Sequence, residues 1–161
     1  FHNSVTNIND AAFIIKKDIY NNKRGFSIID INVFWKDVLA QNREKLPAYF
    51  CEDARIRWHC TNEAFTVDEY IRANCDYPGD WDGTIERIIN CENLIIAVVR
   101  VYPKDLSSSF HVISIAELKE GKIIALDEYW ADDGVAPLWR QEMKIGKAIV
   151  VKKEQTIYSQ K

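Results

Sequence analysis

The second half of the chain holds four apolar segments of strand length in a row, and this arrangement restricts the fold more than any other feature. The segments are 84–92, 94–103, 109–119 and 122–132. Only short turns separate them, at Asn93, "KDLSSS" and "EGK". Strands joined this tightly pair with their neighbours in antiparallel fashion. The sequence therefore predicts an antiparallel meander over residues 84–132.

Residues 30–50 are typical of helical structure. A stripe of apolar side chains recurs there at the spacing of one α-helical face. Its members are Ile31, Phe34, Trp35, Val38 and Leu39. Asp30 precedes the stripe and is suited to cap the helix, because its carboxylate can accept a hydrogen bond from the first turn. Asn42 interrupts the pattern, and "REKLPAYF" (43–50) predicts a second short turn.

A strand and another helix are predicted next. In "ARIRWH" (54–59) the side chains alternate as in a strand, with Trp58 on one face and Arg57 and His59 on the other. "TNEAF" (61–65) is interpreted as a turn. Thr66 and Glu69 match a capping box, which opens a helix that ends at "DYPGDWDG" (76–83).

Helices that precede a run of strands indicate an α+β domain. Because a long antiparallel sheet twists, we expect a strongly curved antiparallel sheet wrapped around the N-terminal helices, a cone with an internal pocket. A chain of 161 residues suggests one domain. We assign that domain to residues 29–148. Before it lies a poorly specified arm (1–28, with a short helix around 9–20), and after it a tail (149–161).

Charge and composition argue against several kinds of partner. The net charge is −3 and the only basic cluster is "KIGKAIVVKK" (144–153), so binding to nucleic acid is not expected. No apolar run reaches the roughly 18–20 residues of a membrane span, and no signal peptide is recognised at the start. The four cysteines never form a C-x-x-C pair. We interpret them as free thiols in the cytoplasm, and we expect no metal site.

The last two predicted strands carry polar groups among apolar neighbours. On 109–119, Ser114 lies on one face and His111 on the other. On 122–132, Glu128 and Trp130 share a face, and Asp127 lies on the opposite one. Which face is concave stays open, because a one-residue bulge would exchange the two faces.

Two stretches and the meander between them carry a family resemblance. The stretches are "FWKDVLAQNREKLPAYFCEDARIRWHCTNEAFTVDEYIRANCDYPGDWDG" (34–83) and "LDEYWADDGVAPLWR" (126–140). Over residues 30–148 the chain resembles the SnoaL-like branch of the nuclear transport factor 2-like superfamily. The resemblance implies a cone with an internal pocket. It does not imply one reaction, because the superfamily includes isomerases, cyclases, dehydratases, hydrolases and non-catalytic modules.

The resemblance also implies candidate catalytic residues. Ketosteroid isomerase, which shares the cone, has a general-base Asp where this chain has His59, and an oxyanion-hole Asp where it has Ser114. SnoaL-like cyclases use an acidic residue on the last strand, for which Glu128 is the closest match and Asp127 the second. Isomerisation of the ketosteroid kind is not expected, because two positions differ. His59 with Glu128 or Asp127 is the candidate acid/base pair.

Other side chains each allow two interpretations. The large rings are candidate walls for a flat ligand, or ordinary core residues. They are Trp58, Tyr77, Trp81 and Trp130. Arg100 and His111 are candidates for ligand recognition, or members of structural ion pairs. His59 itself has a structural alternative, a histidine at a strand end bonded to the following turn.

We expect the pocket to bind a small, partly apolar, cyclic organic molecule and to need no cofactor. The enzymatic hypothesis is cofactor-free proton transfer of the isomerase, cyclase or lyase type. The alternatives are a binding module without turnover and an interaction module. Ile and Val side chains on the outward faces of 84–118 predict a homodimer.

Overall fold

A computed structural model describes residues 29–149 of the chain. The helix predicted around 9–20 and nearly all of the predicted tail lie outside the described residues. The helices are α1 (Ile31–Leu39), α2 (Val67–Cys75) and α3 (Leu138–Glu142), with a 3₁₀ turn at Leu46–Tyr49. The strands are β1 (Phe50–Trp58), β2 (Glu63–Phe65), β3 (Trp81–Cys91), β4 (Leu94–Pro103), β5 (Phe110–Lys119) and β6 (Lys122–Asp132).

The strands form one curled sheet in the order β2-β1-β6-β5-β4-β3. The antiparallel meander predicted for 84–132 is confirmed, since β3 to β6 pair antiparallel in sequence order. The prediction that the whole sheet is antiparallel is wrong, because β1 pairs parallel with β6. Alternation of side chains assigns the faces of a strand, but it carries no information about the direction of a partner distant in sequence.

The predicted helix starts are confirmed. The Asp30 carboxylate accepts a hydrogen bond from the Asn32 N–H at 2.9 Å and caps α1. At α2, the Thr66 hydroxyl accepts from the Glu69 N–H while the Glu69 carboxylate accepts from the Thr66 N–H, which is a complete capping box. Residues 61–65, interpreted as a turn, instead contain β2, which pairs antiparallel with the end of β1.

The core lies between the helices and the concave face of the sheet. From α1 it contains Phe34 and Trp35, and from α2 Tyr70 and Ile71. The sheet supplies buried residues from β1, β4, β5 and β6, among them Ile56, Ile95, Ala97, Val99, Val112, Ala116 and Leu126. Within residues 29–149, no helix is both long and apolar enough to cross a membrane.

A bulge near the start of β6 decides which of its residues face inward. Leu118 pairs with Ile123 and Glu117 pairs with Ala125, so Ile124 is an extra residue between them. Strict alternation would place Ile123 and Leu126 on opposite faces, yet both are completely buried. Beyond the bulge, the face of Leu126 continues with Glu128 and Trp130 into the concave side.

Candidate functional site

A cavity of about 370 Å³ lies between the helices and the concave face of the sheet. Aromatic side chains form much of its wall: Trp35, Trp58, Tyr77, Trp81, Phe110 and Trp130. Smaller apolar side chains complete the wall, from Val38, Leu39, Ala73, Val101 and Ala131. Its polar residues are Gln41, Cys60, Thr61, Asn74 and Asp132. A mostly apolar wall with a few polar groups is typical of a small-molecule site.

Three indole rings meet on one side of the cavity. The Trp130 ring lies 6.1 Å from that of Trp58 and 6.3 Å from that of Trp35, between ring centres. In each pair the planes of the two rings are inclined at about 60°, an arrangement that aromatic quadrupoles favour. Trp58 also packs edge-on against Phe65 of β2, at 4.8 Å. The rings are therefore held by β1, β2, β6 and α1 together.

Glu128 lies directly behind these indoles and has no exposed surface. Its carboxylate accepts hydrogen bonds from Trp58 Nε1 at 2.8 Å, from Trp130 Nε1 at 3.1 Å and from Ser114 Oγ at 2.7 Å. Burial raises the pKa of Glu128, and these three donors act in the opposite direction. Glu128 makes no ion pair with a Lys, Arg or His of residues 29–149.

Tyr70 is a second fully buried polar side chain near this carboxylate. Its hydroxyl has no hydrogen-bond partner among the described residues. Burial, and secondarily the charge of Glu128, raises the pKa of Tyr70 well above its ordinary value. The phenol therefore stays neutral at physiological pH and adds no second negative charge beside Glu128.

The far wall is built by the segment between α2 and β3. Tyr77 and Trp81 pack with ring centres 5.3 Å apart, and Phe110 lies 6.1 Å from Trp81. Gly79 adopts φ +127°, and a Cβ there would lie 2.9 Å from Trp81 Nε1. Gln41 Nε2 donates to the carbonyls of Asn74 and Tyr77 at 2.8 and 2.7 Å and ties the end of α2 to α1. The wall is thus fixed by backbone geometry as well as by packing.

His59 and Asp127 lie on the outer face of the sheet and not in the cavity wall. His59 Nε2 lies 2.7 Å from Asp127 Oδ1, and the His59 ring stacks on Tyr129 at 4.5 Å. Arg57 Nε donates to the same carboxylate at 2.6 Å, and this contact holds the pKa of Asp127 below its usual range. Of the two partners expected for His59, Glu128 lies on the opposite face of the sheet and does not contact it. The second, Asp127, does contact His59, but neither residue lines the cavity.

Arg100 and His111 belong to another outer-face cluster. His111 Nδ1 contacts Asp133, and its Nε2 lies 3.4 Å from a Glu86 oxygen. Arg100 Nε donates to Ser109 Oγ at 2.9 Å. The hydrogen bond with Asp133 raises the pKa of His111 above its ordinary value, although burial opposes the shift. This geometry favours the structural interpretation of both residues over ligand recognition.

The structure thus divides the sequence candidates into groups. Trp58, Tyr77, Trp81 and Trp130 line the cavity, while Ser114 and Glu128 form the layer behind it. The sequence interpretation missed Trp35, Gln41, Phe110 and Asp132 as lining residues. Trp35 and Phe110 were recognisable only as apolar positions of a helix and a strand, which gave no indication of a cavity. Among residues 29–149 no group of three or more His, Cys, Asp or Glu could hold a metal ion.

No protein-family model and no curated protein sequence matches the chain. Solved structures do. A proposed ketosteroid isomerase from Kribbella flavida superimposes with a TM-score of 0.61 at 20% identity, over 73% of this chain and 85% of that one. A protein of unknown function from Burkholderia xenovorans, described as NTF-2 like, gives a TM-score of 0.59 at 20% identity, over 73% of this chain and 91% of that one.

A third similar structure contains a small molecule. It is a protein with the ketosteroid isomerase-like fold from Catenulispora acidiphila, in complex with trimethylamine. It superimposes with a TM-score of 0.50 at 13% identity, over 64% of this chain and 86% of that one. At such identities the comparisons establish architecture and not activity. The chain has the cone fold of the nuclear transport factor 2-like superfamily, which includes ketosteroid isomerase-like and SnoaL-like proteins.

Proposed function

We propose that this domain binds a small, largely apolar organic molecule with a ring or a compact branched group, and that it does so without turnover. The observation that carries the proposal is the cavity of about 370 Å³, with six aromatic side chains in its wall. That volume is in the range of small-molecule pockets. The trimethylamine complex of the similar Catenulispora acidiphila structure supports a small-molecule occupant for this fold.

Binding is favoured over catalysis by the positions of the titratable groups. Acid/base chemistry needs two such groups within reach of one ligand atom. The His59 imidazole lies on the outer face with Asp127, whereas Glu128 is enclosed by Ser114 and two indoles. Neither His59 with Glu128 nor His59 with Asp127 converges on the cavity, and this supports binding without proton transfer.

Filling the cavity should abolish binding. Ala73 lies on α2 and lines the cavity, so Ala73→Trp would place an indole in the space that the ligand needs. With para-tert-butylphenol as the probe, we expect isothermal titration calorimetry to show binding to the wild type and a loss of at least about tenfold in Ala73→Trp. The melting temperature of the variant reports whether it remains folded.

His59→Ala is the matched control for this experiment. His59 contacts Asp127 and Tyr129 on the outer face, so its truncation should leave the affinity for the probe unchanged. The proposal is contradicted if the folded Ala73→Trp variant binds like the wild type, or if His59→Ala loses binding.

We also propose that the domain forms a homodimer through the outer face of the sheet. Val98, Ile113 and Tyr129 are paired neighbours on β4, β5 and β6, and they form an apolar row across that face. Ile113 is 42% exposed and Tyr129 43% exposed. Charged clusters around Asp127 and Asp133 lie on the same face. An apolar centre with a polar surround is typical of an interface between subunits.

A charge in the middle of this row should separate the subunits. A carboxylate at position 113 would have to be buried without a partner at the interface, so we expect Ile113→Asp to be a monomer by light scattering at micromolar concentration. Val33→Asp is the matched control, because Val33 is exposed on α1, away from the sheet face. The proposal fails if the wild type is already monomeric, or if both variants dissociate equally.

For the cellular location we propose the cytoplasm. All four cysteines are free thiols, and Cys60 and Cys91 are exposed to solvent. Exposed thiols persist most readily where the surroundings are reducing.

A further inference from the structure

We propose that the occupant of the cavity is an organic cation, with a tertiary or quaternary ammonium group carried on apolar substituents. The inference rests on the proposed function, since it names the chemical class of the molecule that the cavity takes. It is carried by three features of the described residues: an unpaired buried carboxylate, the charge of the cavity wall and the indoles between them.

The carboxylate of Glu128 has no exposed surface, and it has no cationic partner within residues 29–149. In each of its described hydrogen bonds the carboxylate is the acceptor, and the donors are Trp58, Trp130 and Ser114. Such a set matches the ionised form, which only accepts hydrogen bonds. A buried charge without a counter-charge is costly. A cation in the neighbouring cavity would offset that cost.

The charge in the cavity wall is negative, like that of the Glu128 carboxylate. Among the described residues that line the cavity there is no Lys, Arg or His, and Asp132 is the one charged residue. The cationic side chains of the nearby strands lie on the outer face instead. There Arg57 and His59 contact Asp127, while Arg100 and His111 contact Asp133. A carboxylate or phosphate ligand would therefore meet no compensating charge from residues 29–149 in the cavity.

The indoles separate the ligand space from the buried charge. Trp58 and Trp130 turn their N–H edges to Glu128 while their rings line the cavity, and Trp35 packs beside them. Aromatic rings attract cations through the quadrupole of the π system, most strongly for Trp and in the absence of water. A hydrated ammonium ion would lose too much solvation here, whereas alkyl substituents would replace its water with apolar contacts.

Isosteric probes separate charge from shape. In para-hydroxyphenyltrimethylammonium a charged nitrogen replaces the central carbon of the tert-butyl group of para-tert-butylphenol, and para-hydroxybenzoate carries the opposite charge. We expect calorimetry in an amine-free buffer to show the cation binding about tenfold more tightly than the neutral isostere, and the anion not binding measurably. In Glu128→Gln, which retains the shape of the side chain, the preference for the cation should fall towards parity.

The result that would overturn the inference is a neutral isostere that binds the wild type as tightly as the cation, or a measurable affinity for the anion. An unchanged cation preference in Glu128→Gln would equally overturn it. In each of these cases the cavity still binds a small organic molecule, so the proposed function stands. If none of the three probes binds, the proposed function fails together with the inference.

Discussion

Glu128→Leu should lower the free energy of unfolding by about 3 kcal/mol at neutral pH, because it leaves three buried donors without an acceptor. The donors are the indole N–H groups of Trp58 and Trp130 and the hydroxyl of Ser114. Each unsatisfied buried donor costs about 1–3 kcal/mol, and removal of the buried charge offsets part of the sum. Urea denaturation followed by circular dichroism measures the difference.

Glu128→Gln is the matched control and should lie within about 1 kcal/mol of the wild type. Its carbonyl oxygen can accept from both indoles in place of Oε2, and its amide can donate to Ser114 Oγ after the hydroxyl rotates. If the Gln variant were as unstable as the Leu variant, the carboxylate charge would be essential to the fold, and the donor geometry would not explain the loss.

The pH dependence gives an independent check on Glu128. Its folded pKa is raised above the unfolded value by burial, so its stabilising contribution is complete below the unfolded pKa and is lost as pH rises through the folded pKa. The wild type should therefore lose stability relative to Glu128→Gln as pH increases from about 4.5. If the difference in the free energy of unfolding between the two proteins stayed constant as the pH rose above this value, the assignment of a raised pKa to Glu128 would be contradicted.

Trp130→Ala should have the largest effect on binding. The ring of Trp130 lies between those of Trp35 and Trp58 in the cavity wall, and its N–H donates to Glu128. Its removal enlarges the cavity and takes a large apolar surface from the ligand. We expect the affinity for the ammonium probe to fall more than about tenfold and the free energy of unfolding to fall by about 3 kcal/mol.

Trp130→Phe isolates the contribution of the ring. Phenylalanine retains an aromatic face in the wall but cannot donate to Glu128, so most of the affinity should remain, with a stability loss of about 1 kcal/mol. Equal loss of affinity in the Ala and Phe variants would show that the hydrogen bond to Glu128, and not the aromatic wall, determines binding.

Local patterns in the sequence predicted most of the fold. The apolar stripe after Asp30, the capping box at Thr66 and Glu69, and the alternation through 84–132 each depend on residues close together in the chain. Such signals are read directly from helical and strand periodicity. The family resemblance added how the helices and the sheet are arranged, and the similar solved structures agree with it.

The site was less predictable because it depends on contacts between distant residues. The sequence pattern showed Glu128 and Asp127 on opposite faces of β6, but not which face is concave. The bulge at Ile124 and the parallel pairing of β1 with β6 settle that question, and neither leaves a local pattern. The sequence therefore leaves both Glu128 and Asp127 open as the partner of His59. In the structure the His59 ring lies with Asp127 and Tyr129 on the outer face.

The most direct test of the ligand site is a crystal of the protein soaked with para-bromophenol, in which anomalous scattering locates the bromine. We predict a single strong peak inside the cavity, in contact with the rings of Trp58 and Trp130. A peak on the outer face beside His59 and Asp127, with none in the cavity, would contradict the account. It would indicate that the ligand site lies on the outer face of the sheet.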